Sequence, residues 1–146
     1  SVIKSNEKRK LMLLERIKKI LSRKIKNKKI AFLGVTFKPN TDDMRQSPSL
    51  FMIPYLLNKG AIITYYDPTG EKSEFTKHKN LSFCNDINEA CKNIDLAIIH
   101  TEWEEFKALD FRKLFHKKKF KIYDLRNLYT PDLMRKKGIN YYSIGR

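Results

Sequence analysis

One polar loop of this 146-residue sequence carries the residue types expected of an anion-binding site. The loop begins at Gly34, a residue type that lets the backbone approach a ligand closely. Lys38 and Arg45 supply positive charge, and the helix predicted to begin at Ser47 adds the partial charge of its N-terminus. Two aspartates at 42–43 lie between the basic residues, where they would pair with them or hydrogen-bond the loop backbone. The residues alone leave two interpretations open, a loop that binds an anionic ligand and an ordinary capped turn.

Neither common phosphate-binding signature is present in this loop, which lacks both Gly-x-Gly-x-x-Gly and the P-loop pattern. Cys84 and Cys91 belong to no Cys-x-x-Cys motif or histidine cluster, so we interpret them as inert, partly buried thiols. His100 ends an apolar run and is interpreted as a core or supporting histidine, with a direct role in the site as the alternative. Trp103 is interpreted as an anchor for its loop, with stacking on a base as the alternative.

Short apolar runs alternate with helical stretches from residue 29 onward, and this alternation predicts the fold. Strands are predicted at 30–35, 61–66, 81–83, 95–100, 120–124 and 139–144, and helices at 47–60, 86–92, 110–117 and 130–138. Ser47 and Asp86 are the expected N-caps of their helices, and Gly60 is the expected stop of the helix that Ser47 begins. Alternating strands and helices indicate a parallel sheet that is covered on both faces. We therefore predict an α/β fold: a Rossmann-like three-layer sandwich with an open parallel sheet of about six strands, preceded by one helix.

The predicted topology also indicates where a ligand would bind. In open parallel sheets, ligands lie outside the carboxyl ends of the strands, at the point where the strand order reverses. If the order is 3-2-1-4-5-6, the loops concerned follow the first, fourth and fifth strands. These loops are residues 36–46, 101–105 and 125–129, which are the most unusual stretches of the sequence.

Residues 1–25 have the pattern of an amphipathic helix. Their apolar positions recur at intervals of three and four residues and form one stripe, namely Leu11, Leu14, Ile17, Leu21 and Ile25. The stripe needs a partner: the domain that follows, a domain that precedes it, or another subunit. Residues 1–29 also hold 12 of the 31 Lys and Arg residues and only two acidic ones, which is +10 of the total charge of +15. Because aromatic residues do not alternate with these lysines, a solvated helix face is favoured over a nucleic-acid-binding segment.

Composition excludes several classes of protein. A hydrophobic content of 41% with 12% aromatic residues excludes a disordered or collagen-like chain. No apolar run approaches the roughly 20 residues of a membrane span, and no secretory signal is visible. With two cysteines, the expected compartment is a reducing cytoplasm. Because the sequence opens on Ser1 rather than Met, we expect a trimmed start or a piece of a longer protein.

Several segments, in chain order, resemble the C-terminal domain of the UDP-glucose/GDP-mannose dehydrogenase family. The longest is Gly-x-x-Phe-Lys-Pro-Asn-Thr-Asp-Asp-x-Arg-x-Ser-Pro at 34–48. The others are the strand ending in Asp-Pro at 61–68, Thr-Glu-Trp with a following Phe at 101–106, Asp-x-Arg-Asn-x-Tyr at 124–129, and the ending at 138–146. Residues 2–11 resemble the end of the long helix in the family's central dimerisation domain. The resemblance favours UDP-glucose 6-dehydrogenase within the family, because of the Thr-Glu-Trp and Asp-x-Arg-Asn segments.

The resemblance implies a function and a set of site residues. Members of the family oxidise the C6 alcohol of a nucleotide sugar, such as UDP-glucose to UDP-glucuronate, in two hydride steps with NAD. By motif, Phe37, Lys38 and Arg126 would bind the UDP-sugar, and Arg45 would reach the pyrophosphate of NAD. NAD itself would be bound mainly by an N-terminal domain. Both that domain and the segment that holds the family's catalytic cysteine are missing from this chain, so no catalytic residue is expected in it and the chain alone should be inactive. No metal site is expected either. Leu125 stands where the family usually has glycine.

The resemblance also implies an organisation and partners. Residues 1–27 would end the central dimerisation-domain helix, and residues 28–146 would form the UDP-sugar-binding domain. The expected partners are a UDP-sugar, the N-terminal NAD domain and central helix of the same protein, and a second subunit in a homodimer, with neither nucleic acid nor membrane. The alternatives are a dehydrogenase of another nucleotide sugar (UDP-N-acetylmannosamine, UDP-N-acetylgalactosamine or GDP-mannose), a non-catalytic nucleotide-binding module, and a basic nucleic-acid-binding protein.

Overall fold

The computed structural model describes residues 2–116 and 118–145, and its central feature is a parallel sheet. Across these residues, six strands pair in the order β3-β2-β1-β4-β5-β6, all parallel. The strands are β1 Lys29–Leu33, β2 Ile62–Tyr66, β3 Leu81–Phe83, β4 Leu96–Ile99, β5 Lys121–Asp124 and β6 Asn140–Ser143. The helices are α1 Val2–Ile20, α2 Ser49–Asn58, α3 Ile87–Ala90, α4 Phe111–Leu114 and α5 Pro131–Lys136, with a short 3₁₀ helix at Glu104–Phe106. The predicted fold class and strand order are confirmed.

The sheet separates two layers of buried apolar side chains in the described part of the chain. Ile30 and Phe32 of β1 face a cluster that includes α1 and α2, whereas Ala31 and Leu33 face a cluster that includes α4 and α5. This alternation follows from the two-residue period of a strand. Because both faces are covered, β1 and β4 are apolar at almost every position.

Helix α1 packs against the sheet of its own chain. Leu14, Ile17, Leu21 and Ile25 are buried in the same cluster as the residues of β1, so the partner of the stripe is the domain that follows it. Leu11 was predicted in the stripe, but 67% of it is exposed. The predicted end of the helix at residue 25 is also wrong. Helix α1 ends at Ile20, because the chain turns where Ser22 and Arg23 adopt φ values of 55° and 65°.

The ends of the other helices test the predicted caps. Asp86 accepts a hydrogen bond from the Asn88 amide at the start of α3, and Gly60 follows α2 with a φ of +91°, both as predicted. Ser47 does not cap α2. Its hydroxyl donates instead to the Val35 carbonyl at 2.6 Å, and Pro48 occupies the N-cap position.

Helices α3, α4 and α5 are shorter than predicted, and residue 117, the predicted end of α4, lies outside the described residues. In the case of α4, the chain becomes extended at Phe115. None of the helices in the described ranges is both long and apolar enough to cross a bilayer.

Candidate functional site

Arg126 joins the three loops that were predicted to converge at the carboxyl edge of the sheet. It follows β5, and its Nε donates to the His100 carbonyl at the end of β4 at 2.8 Å. Its Nη2 donates to the Phe37 carbonyl in the loop after β1 at 2.6 Å, and its Nη1 lies 3.8 Å from a carboxylate oxygen of Glu102. The side chain is 22% exposed. The predicted convergence of these loops is therefore observed, and the guanidinium lies at its centre.

The turn that carries Arg126 is built on Asp124, which is fully buried. The carboxylate of Asp124 accepts hydrogen bonds from the backbone amides of Arg126 and Tyr129 and from the Tyr141 hydroxyl. Sequence reasoning used Asp124 only as part of a motif and missed this anchoring role. Its position at the end of an apolar strand was the available signal, because a buried carboxylate there must accept hydrogen bonds.

Leu125 replaces the usual family glycine without backbone strain. The positive φ of this turn is at Asn127, at 51°, and not at Leu125. The Asn127 side chain exchanges two hydrogen bonds with the backbone of Ile144, which fixes the turn against the end of β6. The replacement therefore leaves Arg126 in place, and the Leu125 side chain adds apolar surface at this edge.

Hydrogen bonds to the backbone hold the loop after β1, while the side chains of Phe37 and Lys38 remain at the surface. Val35 donates from its amide to the buried carboxylate of Asp67 at 2.8 Å, and the Thr36 hydroxyl donates to the Lys38 carbonyl at 2.9 Å. Phe37 is 44% exposed, and Lys38 is exposed. Arg126 therefore contacts the backbone of Phe37, which directly precedes Lys38, and both predicted site residues have side chains that are accessible to a ligand.

Arg45 makes a two-pronged ion pair with Asp43. Its Nε and Nη2 donate to the two carboxylate oxygens at 3.0 and 2.9 Å, and the same carboxylate accepts from the Arg45 amide. Hydrogen bonds from the Arg45 side chain lower the pKa of Asp43 to about 2. The Arg45 side chain is nevertheless 89% exposed, so the pair stiffens the loop and leaves the guanidinium accessible.

The remaining candidates have supporting positions. His100 is fully buried, and Trp103 is 9% exposed against Gly34. Both match the interpretation as core or anchoring residues. Cys91 is fully buried, and burial raises the pKa of its thiol to about 12, whereas Cys84 is half-buried with its pKa also raised by burial. Neither thiol is activated as a nucleophile.

A cleft of about 520 Å³ opens beside Arg126, between α1 and the carboxyl ends of β4, β5 and β6. Its walls combine apolar side chains with basic ones from α1, including Leu13, Tyr123, Leu125, Arg9 and Arg16. The buried Ser143 hydroxyl at its edge has no hydrogen-bond partner among the described residues. Arg126 lines this cleft, so the same guanidinium borders both the cleft and the loop after β1.

Comparison with known proteins assigns the family. Residues 31–131 match the family model described as "UDP-glucose/GDP-mannose dehydrogenase family, UDP binding domain". The UDP-glucose 6-dehydrogenase of Rickettsia felis is 40% identical over 148 residues, which is 99% of this chain and 33% of that protein.

Two solved structures share the fold. A UDP-glucose dehydrogenase from Pyrobaculum islandicum has a TM-score of 0.74 at 24% identity, over 99% of this chain and 31% of its own. An NDP-N-acetyl-D-galactosaminuronic acid dehydrogenase from Methanosarcina mazei has a TM-score of 0.73 at 26% identity, over 94% of this chain and 29% of its own. The chain thus spans about a third of the length of the relatives it matches. Because the matching family model covers most of the sheet and the loops at its carboxyl edge, this chain belongs to the UDP-glucose/GDP-mannose dehydrogenase family through its UDP binding domain.

Proposed function

We propose that this chain is the substrate-binding part of an NAD-dependent UDP-glucose 6-dehydrogenase, which oxidises UDP-glucose to UDP-glucuronate in two hydride steps. The observation that carries this proposal is the position of Arg126 among the three loops at the carboxyl edge. Its two short hydrogen bonds go to neutral carbonyl oxygens and orient the guanidinium, while the carboxylate of Glu102 lies further away, at 3.8 Å, and is partly exposed. A diphosphate is recognised by such a fixed, planar, charged donor.

The UDP-sugar is assigned to Phe37, Lys38 and Arg126. The exposed Lys38 ammonium adds a second positive charge in the loop that Arg126 already contacts through the Phe37 carbonyl. The exposed ring of Phe37 offers an apolar surface next to these charges. A cationic pair beside an aromatic face suits a nucleotide better than a simple anion.

Arg45 is assigned to NAD, which accepts hydride from the sugar and is bound mainly by another domain. The assignment of Arg45 to NAD rests on the exposure of its side chain, which is 89%. Because Asp43 orients the guanidinium and leaves it accessible, Arg45 can reach a phosphate that is bound on a facing domain. In this organisation, residues 1–27 form the end of a central dimerisation domain, with α1 as its last helix, and residues 28–146 form the UDP-sugar-binding domain. The whole protein would be a cytoplasmic homodimer, and its NAD domain would close over the sugar and exclude water during hydride transfer.

A dehydrogenase of another nucleotide sugar is the second candidate, and the similarity to the Methanosarcina mazei enzyme favours it. Oxidation rates of the longer protein with UDP-glucose, UDP-N-acetylmannosamine, UDP-N-acetylgalactosamine and GDP-mannose separate the two. A preference for UDP-glucose is the expected result. A preference for any of the other sugars would contradict UDP-glucose as the substrate but would leave the proposed class of reaction unchanged.

Replacing Arg126 with Ala is expected to weaken UDP binding by this chain roughly tenfold to a hundredfold, which is the contribution of one hydrogen bond to a charged group. Calorimetric titration with UDP measures the dissociation constant. Arg112→Ala is the matched control, because it removes the same charge from an exposed position on α4. Equal affinities of the two variants would contradict the assignment of Arg126.

Replacing Arg45 with Ala is expected to raise the KM for NAD in the longer protein about tenfold or more and to spare the KM for the UDP-sugar. Asp43→Asn is the informative control, because it removes the negative partner and keeps the guanidinium. If Arg45 only holds the loop through Asp43, the two variants should affect both substrates alike. A rise in the KM for NAD that is confined to Arg45→Ala distinguishes the NAD contact from the loop contact.

A further inference from the structure

The ring of His100 has a single possible protonation pattern. Its Nε2 lies 2.9 Å from the Ser49 amide nitrogen. A backbone amide can only donate, so Nε2 accepts and carries no proton. The proton of the neutral ring is therefore on Nδ1, which lies 2.8 Å from the Thr101 hydroxyl oxygen and donates to it. Burial lowers the pKa of His100 to about 3, with a smaller contribution from the charge of Arg126, so the ring is neutral at pH 7.

The chain of hydrogen bonds continues from the ring to the loop after β1. The Thr101 hydroxyl accepts a hydrogen bond from Nδ1–H, and it donates a hydrogen bond to the Thr36 carbonyl at 2.7 Å. Residues 36 and 37 are joined by one peptide bond. The ring thus links the first residue of α2, the end of β4 and the start of the loop that carries Lys38.

Both carbonyl oxygens that orient Arg126 belong to this chain of bonds or adjoin it. One is the carbonyl of His100 itself, and the other is that of Phe37, next to the Thr36 carbonyl that Thr101 holds. A rotation of the ring or a switch of its proton to Nε2 would break the bond to Ser49 and remove the side-chain link between the end of β4 and α2. The position of the Arg126 guanidinium therefore depends on the imidazole ring of His100, although Arg126 contacts only the backbone carbonyl of that residue.

We propose that His100 is a positioning residue for the nucleotide site: its neutral ring, protonated on Nδ1, holds the loop after β1 and the end of β4 where Arg126 can bind the diphosphate of the UDP-sugar. This inference rests on the proposed function. It assigns His100 no contact with the ligand and no proton transfer, because the ring is fully buried.

The proton position is tested on this chain by nitrogen-15 NMR of the imidazole at pH 7. The expected spectrum shows a protonated Nδ1 and a bare Nε2 for His100. A spectrum with the proton on Nε2, or with a fully protonated ring, would overturn the proposal whatever the chain binds.

The link to the ligand is tested by calorimetric titration of UDP into folded variants of this chain. His100→Gln keeps an acceptor for the Ser49 amide, but its amide NH2 is attached one bond further along the side chain than Nδ1 and does not take the Nδ1 position beside Thr101. Thr101→Val removes the relay to Thr36. Each is expected to weaken UDP binding roughly tenfold, and the double variant is expected to bind no more weakly than either single one, because both break the same chain of bonds. Ile98→Ala is the control for lost stability, since Ile98 is fully buried two residues earlier in β4.

The outcomes separate the two proposals. If the unchanged chain does not bind UDP, the proposed function fails and this inference fails with it. If it binds UDP and His100→Gln binds equally well, the positioning role alone is overturned. The positioning role is also overturned if Ile98→Ala weakens UDP binding to the same degree as His100→Gln. It is overturned as well if the losses of UDP affinity from His100→Gln and Thr101→Val are fully additive. In either case His100 would have only a structural role.

Discussion

Replacing Ile17 with Asp is expected to destabilise the chain by about 4 kcal/mol or more, enough to lower the Tm by roughly 10 °C or to unfold it. Ile17 lies on α1 and is fully buried, in the same cluster as Ile30 and Phe32 of the central strand. A carboxylate at this position would lose its hydration without gaining a partner. Thermal unfolding followed by circular dichroism measures the effect.

The matched control is Leu11→Asp, which places the same charge on the same helix at a position that is 67% exposed. It is expected to change the free energy of unfolding by less than about 0.5 kcal/mol. Light scattering reports the mass of both variants. If Ile17→Asp kept the Tm of the unchanged chain and altered only its mass, α1 would be an interface between subunits rather than a part of this core.

Replacing Gly34 with Ala is expected to cost about 3 kcal/mol, from two separate causes. Gly34 has a φ of +75°, which costs an L-residue about 1–2 kcal/mol. An added Cβ would also lie 2.7 Å from the Thr101 Cβ and 3.2 Å from the Trp103 Cδ1, and such overpacking typically costs 1–3 kcal/mol. Urea unfolding measures the loss.

Gly70→Ala separates the two causes. Gly70 has a φ of +93°, but nothing lies within 4 Å of an added Cβ, so only the backbone cost applies. We expect the loss at Gly34 to exceed the loss at Gly70 by the cost of the clash. Equal losses would show that Thr101 and Trp103 move aside easily, and that the loop after β1 is less tightly held against the loop after β4 than its contacts indicate.

The fold, and the meeting of three loops at one edge of the sheet, could be predicted from the sequence alone. The short apolar runs that became β1 and β4 indicate strands, and their alternation with helices predicts the parallel sheet. Caps that depend on neighbouring residues were also predictable, as at Asp86 and Gly60. Their partners lie within a few residues along the chain, so the local pattern contains the whole interaction.

Tertiary structure decided the features whose partners are distant in sequence. Ser47 was expected to cap α2, but the Val35 carbonyl, 12 residues earlier, takes its hydroxyl. Leu11 fits the helical stripe by spacing, yet the sheet does not extend to cover it.

The same reason explains what could not be predicted about the site. The sequence placed Arg126 in the correct loop, but its hydrogen bonds go to carbonyl groups 26 and 89 residues earlier. The tautomer of His100 depends on the Ser49 amide, 51 residues away. A residue's type and spacing determine which groups it can bind, whereas the packing of α2 and three loops at one edge of the sheet determines which of those groups lie within 3 Å.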